Sequence, residues 1–206
     1  MYLTKEIRWF FKNENEHINR WFDRLEFDNF EQREDFYLDL GKEDLGVKLR
    51  QGNIEIKYSV GTRSKGCLNK NAWGYFEKWN KWSFSVENKE AILSGMTIDD
   101  QSKWTSVLKE RKIAILTFEQ GEENLLAADN ETASSCQFEY SRIQVSDSVW
   151  YTFGLEYSGD LSLKIRDSLI TEILGDTKFA MNQSMGYPAF LAKCQQLRKE
   201  DMVAQH

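Results

Sequence analysis

The amino-acid sequence predicts an α+β protein in which eight or so antiparallel strands form a closed or nearly closed β-barrel with flanking helices. Apolar and polar residues alternate along many segments, which is typical of strands. A few other segments place apolar residues every three to four positions, as amphipathic helices do. The chain has one proline and no low-complexity stretch, so nothing indicates a linker. We therefore expect a single domain over residues 1–206, with a helical C-terminal segment at about 160–203.

The N-terminal elements follow from these two periods. Residues 3–11 predict a strand that places Glu6 and Arg8 together on its polar face. Residues 14–26 repeat apolar side chains at helical spacing and predict an amphipathic helix. Alternation then returns and predicts further strands at residues 33–40, 45–51 and 53–60.

The remaining elements are also predicted to be a mixture of strands and helices. A tryptophan-rich strand is predicted at 75–87, and apolar spacing predicts a helix over 98–108. The C-terminal third is predicted to be helical because Leu161, Ile165 and two later residues recur at every fourth position. Between these lie strands predicted at residues 109–119, 135–145 and 148–157, with a polar loop at 119–134.

Composition excludes several classes of function. The chain has two histidines and three well-separated cysteines without a CxxC pair, which disfavours zinc sites, disulfide frameworks and Cys-His nucleophiles. A net charge of −6 argues against a general nucleic-acid binder. Apolar stretches are shorter than a membrane span, and the first residues do not resemble a signal peptide. We therefore expect a cytoplasmic protein.

Pairs of charged residues recur on single strand faces. In an ordinary antiparallel sheet such a face is simply solvated. If the amphipathic helices cover the apolar faces instead, the charged faces must line the inside of the barrel, where each desolvated charge needs a partner. The sequence alone leaves both arrangements open. The pairs are Glu6/Arg8, Lys48/Arg50, Glu55/Lys57 and Lys109/Arg111.

Clustered cations beside carboxylates suit a phosphorylated ligand. Arginine and lysine bind phosphoryl oxygens, and carboxylates hold the Mg²⁺ or Mn²⁺ that neutralises a polyphosphate. Phosphoryl transfer depends mainly on positioning and charge stabilisation, so it requires neither histidine nor cysteine. The scarcity of both residues is consistent with this chemistry.

The order of these motifs resembles the CYTH, or triphosphate tunnel metalloenzyme, superfamily. Thr4-Lys5-Glu6-Ile7-Arg8 is similar to the N-terminal ExExK signature of that family, although Thr4 replaces its first glutamate and Arg8 its lysine. Further parts of the chain are similar to later elements of the family. In chain order they are Lys48-Leu49-Arg50, Lys57, Lys109-Glu110-Arg111, Glu139, Glu156 and the segment 186–191.

The resemblance implies a charged tunnel that binds a triphosphate-containing compound or polyphosphate with Mg²⁺ or Mn²⁺. It further implies that the protein hydrolyses the terminal phosphate. Thr4 removes one carboxylate of the family signature, and this departure puts the hydrolytic activity in question. Glu6 and Glu156 would be catalytic, and Glu6, Glu139 and Glu156 would ligate metal. The phosphate ligands would be Arg8, Lys48, Arg50, Lys57, Lys109 and Arg111.

Two other functions remain open. The first is a non-catalytic β-barrel binding module in which tryptophans line an apolar pocket and the charges face solvent. The second is an interaction protein that uses its acidic outer surface. The aromatic segment 73–82 is compatible with core packing or with stacking on a ligand ring beside lysines.

Overall fold

A computed structural model describes residues 1–85, 103–119, 122–127 and 134–204. Within these residues the helices are α1 (Glu16–Asp23), α2 (Asp167–Leu174) and α3 (Tyr187–Ala204), and a 3-10 turn covers Met181–Gln183. None of the helices within these residues is long and apolar enough to cross a membrane. The strands are β1 (Tyr2–Phe11), β2 (Phe30–Leu38), β3 (Leu45–Arg50), β4 (Asn53–Ser59), β5 (Ser64–Asn69), β6 (Ala72–Ser85), β7 (Trp104–Glu119), β8 (Glu122–Leu126), β9 (Ser135–Val145) and β10 (Ser148–Ser158).

Eight of the strands close into a ring. Their order is β1-β10-β9-β7-β2-β3-β4-β6, and β6 pairs with β1 to complete the circle. All of these pairings are antiparallel. Strand β5 pairs with β6 and β8 pairs with β7, both outside the ring. The predicted α+β fold, an antiparallel eight-stranded closed barrel with flanking helices, is confirmed.

The outer face of the barrel is apolar where helices cover it. Ile7 and Trp9 of β1 are fully buried and belong to a core that includes Phe22 of α1 and Ile173 of α2. Because side chains alternate along a strand, Glu6 and Arg8 point to the opposite side, into the barrel. The helices thus occupy the apolar outer face, and the charged face becomes the interior.

One end of the barrel is closed by the start of α3. A second apolar core combines inward residues at the end of β1 and β2, such as Phe10 and Tyr37, with Tyr187 and Phe190 of α3. The rings of Phe10 and Phe190 stack with their centroids 3.9 Å apart. At the same end, Pro188 packs against Gly46 of β3. The barrel interior is therefore blind at this end.

Three sequence predictions were wrong in detail. The predicted helix over 98–108 is strand at residues 104–108, because this segment pairs with both β2 and β9, and residues 98–102 lie outside the described residues. Residues 160–166 are not helical, and α2 begins only at Asp167. Strands β5 and β8 were not predicted, and β8 lies within the expected polar loop.

We expect Phe190→Ala to destabilise the protein by about 3–5 kcal/mol, because it removes a buried ring from the closed end. The free energy of unfolding in urea measures this effect. Leu197→Ala, at a 42% exposed position on the same helix, is the control and should cost less than about 1 kcal/mol. Equal costs for the two variants would show that α3 does not close the barrel.

Candidate anion-binding cavity

The interior of the barrel encloses a cavity of about 220 Å³, which we call the barrel cavity. Tyr2, Arg50 and Glu156 line it at the end opposite α3, and Tyr187 lines it at the closed end. Its remaining lining includes Ile56, Trp82, Gly46, Tyr37 and Gln137. Among the described residues, the charged lining consists of eight basic residues, Arg8, Arg33, Lys48, Arg50, Lys57, Lys81, Lys109 and Arg111, and four acidic ones, Glu6, Glu55, Glu139 and Glu156.

Strand register explains why these charges converge. Residues directly opposite each other in antiparallel strands place their side chains on the same face. Glu6 lies opposite Glu156 in the β1–β10 pair, Lys48 opposite Glu55 in the β3–β4 pair, and Arg33 opposite Lys109 in the β2–β7 pair. Every basic residue predicted to bind phosphate lines the barrel cavity. So do the three glutamates predicted as metal ligands or catalytic groups.

A buried arginine pair flanks Glu139. Arg8 Nη1 donates to Glu139 Oε1 over 2.7 Å, and Arg111 donates to Glu139 Oε2 through two nitrogens. The Ser141 hydroxyl also donates to Oε1 over 3.1 Å. Burial by itself would raise the pKa of Glu139, but Arg111 and Arg8 hold this pKa well below its usual range. Glu139 is therefore an anion locked between two cations.

A second buried cluster surrounds Lys109. Its Nζ lies 2.7 Å from Asp35 Oδ2 and donates to the Tyr37 hydroxyl over 2.8 Å. Burial lowers the pKa of Lys109 well below its usual value, although Asp35 opposes this effect. Burial would raise the pKa of Asp35, but Lys109 and Lys48 hold it well below its usual range. Sequence reasoning did not select Asp35 or Tyr37 for the site, although their alternation with Arg33 was visible.

The cations nearer the open end are less enclosed. Lys57 Nζ lies 2.8 Å from Glu6 Oε1, and Lys81 Nζ lies 2.5 Å from Glu156 Oε1. Arg50 pairs with Glu55, yet 30% of the Arg50 side chain remains exposed. Their partners hold these cations in place without surrounding them. This part of the barrel cavity offers donors that an entering anion can reach.

The predicted metal site does not fit this arrangement. Burial would raise the pKa of Glu6, but Lys57, Lys81 and Arg8 lower it to about 2, so Glu6 is ionised and already paired. Glu156 pairs with Lys81, and Glu139 with two arginines. Among the described residues, no three metal-ligating side chains come together. The donors therefore do not fit a divalent cation held by protein carboxylates, since each carboxylate already neutralises a cation.

Thr4 occupies the position of the missing signature glutamate. The residue is fully buried, and its Oγ1 makes no hydrogen bond with any described residue. A hydroxyl in this place supplies no negative charge for a metal. The substitution is consistent with the poor fit of the donor set.

Several lining residues were not predicted as site residues. Lys81 lies in the aromatic segment 73–82, and its position in a predicted strand was only a weak indication that it faces the barrel interior. Arg33 shares an alternating face with Asp35. Tyr187 belongs to the segment 186–191 that resembles a family element, but nothing in the sequence shows that α3 reaches the barrel interior.

Comparison with known proteins gives only a distant likeness. No family model matches the chain, and a search of curated proteins found no match. Among solved structures, the PH1012 protein of Pyrococcus horikoshii is 17% identical with a TM-score of 0.41, and the match covers 87% of this chain and 93% of that one. A candidate adenylate cyclase from Bacillus halodurans is 11% identical with a TM-score of 0.43, and the match covers 88% and 95% of the two chains.

A third similar structure is HpAC1 from Hippeastrum, described as a candidate adenylyl cyclase with a dominant triphosphatase activity. It is 7% identical with a TM-score of 0.36, and the match covers 84% of each chain. At these identities and scores we draw no functional conclusion from the likeness.

We expect Glu139→Gln to destabilise the ligand-free protein by roughly 3 kcal/mol or more, because it leaves two buried arginines without their anion. Urea unfolding measures the loss. Glu110→Gln is the matched control, because Glu110 forms a half-exposed pair with Arg142 and should cost less than about 1 kcal/mol. A neutral Glu139→Gln would contradict the role of Glu139 as the required counter-charge.

We expect affinity for an inorganic polyphosphate to fall between pH 7 and pH 9. Burial lowers the pKa of Lys48 to about 8; Asp35 and Glu55 oppose this effect, and Arg50 and Arg33 add to it. Lys48 therefore carries its charge below pH 8 and loses it above. Lys48→Arg stays charged throughout this range and should have a flatter profile than the wild type. Titration calorimetry measures the affinity of both proteins at each pH. Protonation of the ligand affects both proteins equally, so the difference between them reports on Lys48. Identical affinity–pH profiles would contradict the prediction.

Proposed function

We propose that this protein binds a triphosphate-containing compound in the barrel cavity. The observation that carries the proposal is the convergence of eight basic side chains on a cavity of about 220 Å³ that is closed at one end. Arginine forms bidentate bonds to phosphoryl oxygens, and lysine contributes a point charge. Both residue types line the same small space.

The charge balance supports an anionic ligand. Within the part of the chain that the structure describes, the lining has four more basic than acidic residues. Asp35 and Glu31, which pair with Lys109 and Arg111 from behind the lining, reduce this excess to two. Inside a barrel such an excess is costly without a counter-charge. A bound polyphosphate group would supply it.

The blind end favours a terminal triphosphate group. Phosphates entering past Arg50 and Lys81 would stop at Tyr187, so a long chain could not pass through the barrel. The rest of the compound would remain at the open end, beside Tyr2 and Trp82. Half of the Tyr2 surface is exposed, so that end has room for a substituent.

The proposal concerns binding, and hydrolysis by Glu6 and Glu156 remains a prediction. Each of these carboxylates is engaged by a lysine, so neither is placed as an uncommitted base for water. The lysines and arginines can neutralise phosphate charge directly. Phosphate release, assayed in parallel with binding, tests whether turnover also occurs.

The alternative of an apolar pocket lined by tryptophans is poorly supported. Trp73 is 48% exposed, whereas Trp79 is buried and its ring is covered by Lys57 Nζ, 4.2 Å from the centroid. The charged faces of the ring strands point inward and not toward solvent. An apolar ligand would have to desolvate these charges without pairing them.

We expect the wild-type protein to bind tripolyphosphate in titration calorimetry, with an affinity that falls as salt increases. Arg50→Ala should weaken binding about tenfold or more, because it removes a charge-assisted contact at the open end. Arg20→Ala, which removes an exposed arginine of α1 outside the barrel, should leave binding unchanged. Titrations with Mg²⁺ and with a chelator separate free from metal-bound ligand.

Absence of wild-type binding with and without Mg²⁺ would overturn the proposed function. Equal weakening by Arg50→Ala and Arg20→Ala would place the ligand on the outer surface. Either result would favour a role as an interaction protein.

A further inference from the structure

Tyr187 lies at the closed end of the barrel cavity, in the first turn of α3. Its side chain lines the cavity and only 7% of the residue surface is exposed. Its hydroxyl oxygen makes no hydrogen bond with any residue that the structure describes. A buried hydroxyl without a partner costs about 1–3 kcal/mol, so its presence needs an explanation.

The ring of Tyr187 is well packed without help from its hydroxyl. It meets the Phe10 ring edge-on at 5.1 Å between centroids and stacks on Tyr37 at 5.6 Å. Lys109 Nζ lies 3.9 Å from the ring centroid. A phenylalanine would make all of these contacts. Packing therefore accounts for the aromatic ring but not for the oxygen atom.

The surroundings of the hydroxyl are charged. Glu139, Arg8, Arg111 and Asp35 are the charged groups that act on its titration, and burial together with Glu139 raises its pKa above the usual value. The hydroxyl is thus a neutral donor on the charged side of the ring. By contrast, the Tyr37 hydroxyl accepts a hydrogen bond from Lys109.

The nearby carboxylates are already paired. Glu139 receives hydrogen bonds from Arg8, Arg111, Ser141 and Gln137. Asp35 is also paired with cations, since Lys109 Nζ lies 2.7 Å from its Oδ2 and Arg33 Nε lies 3.3 Å from its Oδ1. Arg8 and Arg111 carry positive charge and attract an anion to this place. The missing partner therefore has the chemistry of an anionic oxygen.

We infer that the Tyr187 hydroxyl donates a hydrogen bond to a terminal phosphate oxygen of the bound compound. This inference rests on the proposed function and deepens it by assigning the donor at the closed end. Tyr187 would then contact the terminal phosphate only when that phosphate lies at the closed end of the barrel cavity. It would act as a specificity-determining residue supplied by α3 and not by the barrel strands.

The test is Tyr187→Phe, which removes the hydroxyl and keeps the ring. In titration calorimetry with tripolyphosphate, the variant should bind about tenfold or more weakly than the wild type, because a hydrogen bond to a charged acceptor is lost. The ligand-free melting temperature should stay equal or rise, because an unpartnered buried hydroxyl has been removed. Tyr58→Phe is the matched control, since Tyr58 lies on β4 and its hydroxyl bonds Asn80 at the surface.

The outcomes separate this inference from the proposed function. If the wild type binds tripolyphosphate and Tyr187→Phe binds it equally well, the hydroxyl is satisfied by water only and the inference is overturned. A lowered ligand-free melting temperature with unchanged affinity would show a structural role and also overturn it. Failure of the wild type to bind would instead remove the proposed function.

Discussion

The whole structure depends on how a closed barrel neutralises the cations in its interior. Arg8 and Arg111 are almost completely buried, and Glu139 between them is the anion that makes their burial possible. Lys109 depends on Asp35 in the same way. Removing one partner from such a pair costs far more than the pair contributes to stability. The carboxylates are therefore best understood as counter-charges that hold the cations in position.

This constraint explains the position of the helices. Helices α1 and α2 cover the apolar outer face, and this leaves the charged face inside. Helix α3 packs its first turn into one end of the barrel and makes the cavity blind. The remaining opening contains the less enclosed cations, including Arg50 and Lys57. An anion can therefore enter only through the open end. The hydrogen-bond donors become more buried from this end toward the closed end.

Much of the fold could be predicted from the sequence because apolar and polar residues alternate over at least part of most ring strands. Residues 135–145 were predicted with the observed limits, since Cys136, Phe138 and Tyr140 alternate with polar residues. Residues 104–108 were assigned to a helix because three apolar residues happened to have helical spacing, whereas pairing with strands on both sides decided the structure. Strand β8 is short and polar, so its pairing with β7 left no periodic signal.

The basic side of the site was equally predictable, because same-face pairs such as Lys109/Arg111 follow from alternation alone. Their pairing with Asp35 and Glu139 was not, since the partners come from strands distant in sequence. The expected metal ligands show the same limit. Glu6 and Glu156 do lie opposite each other, but only the structure shows that lysines already neutralise them. Tyr187 depends on the docking of α3, which one sequence does not reveal.

The most direct test of the account is a crystal structure of the protein with tripolyphosphate. We expect phosphates inside the barrel, with Arg50, Lys48 and Lys57 around the outer phosphates and the terminal phosphate against Tyr187. Phosphates bound only to outer-surface lysines, with Glu139 and its arginines enclosing an interior without ligand, would contradict it.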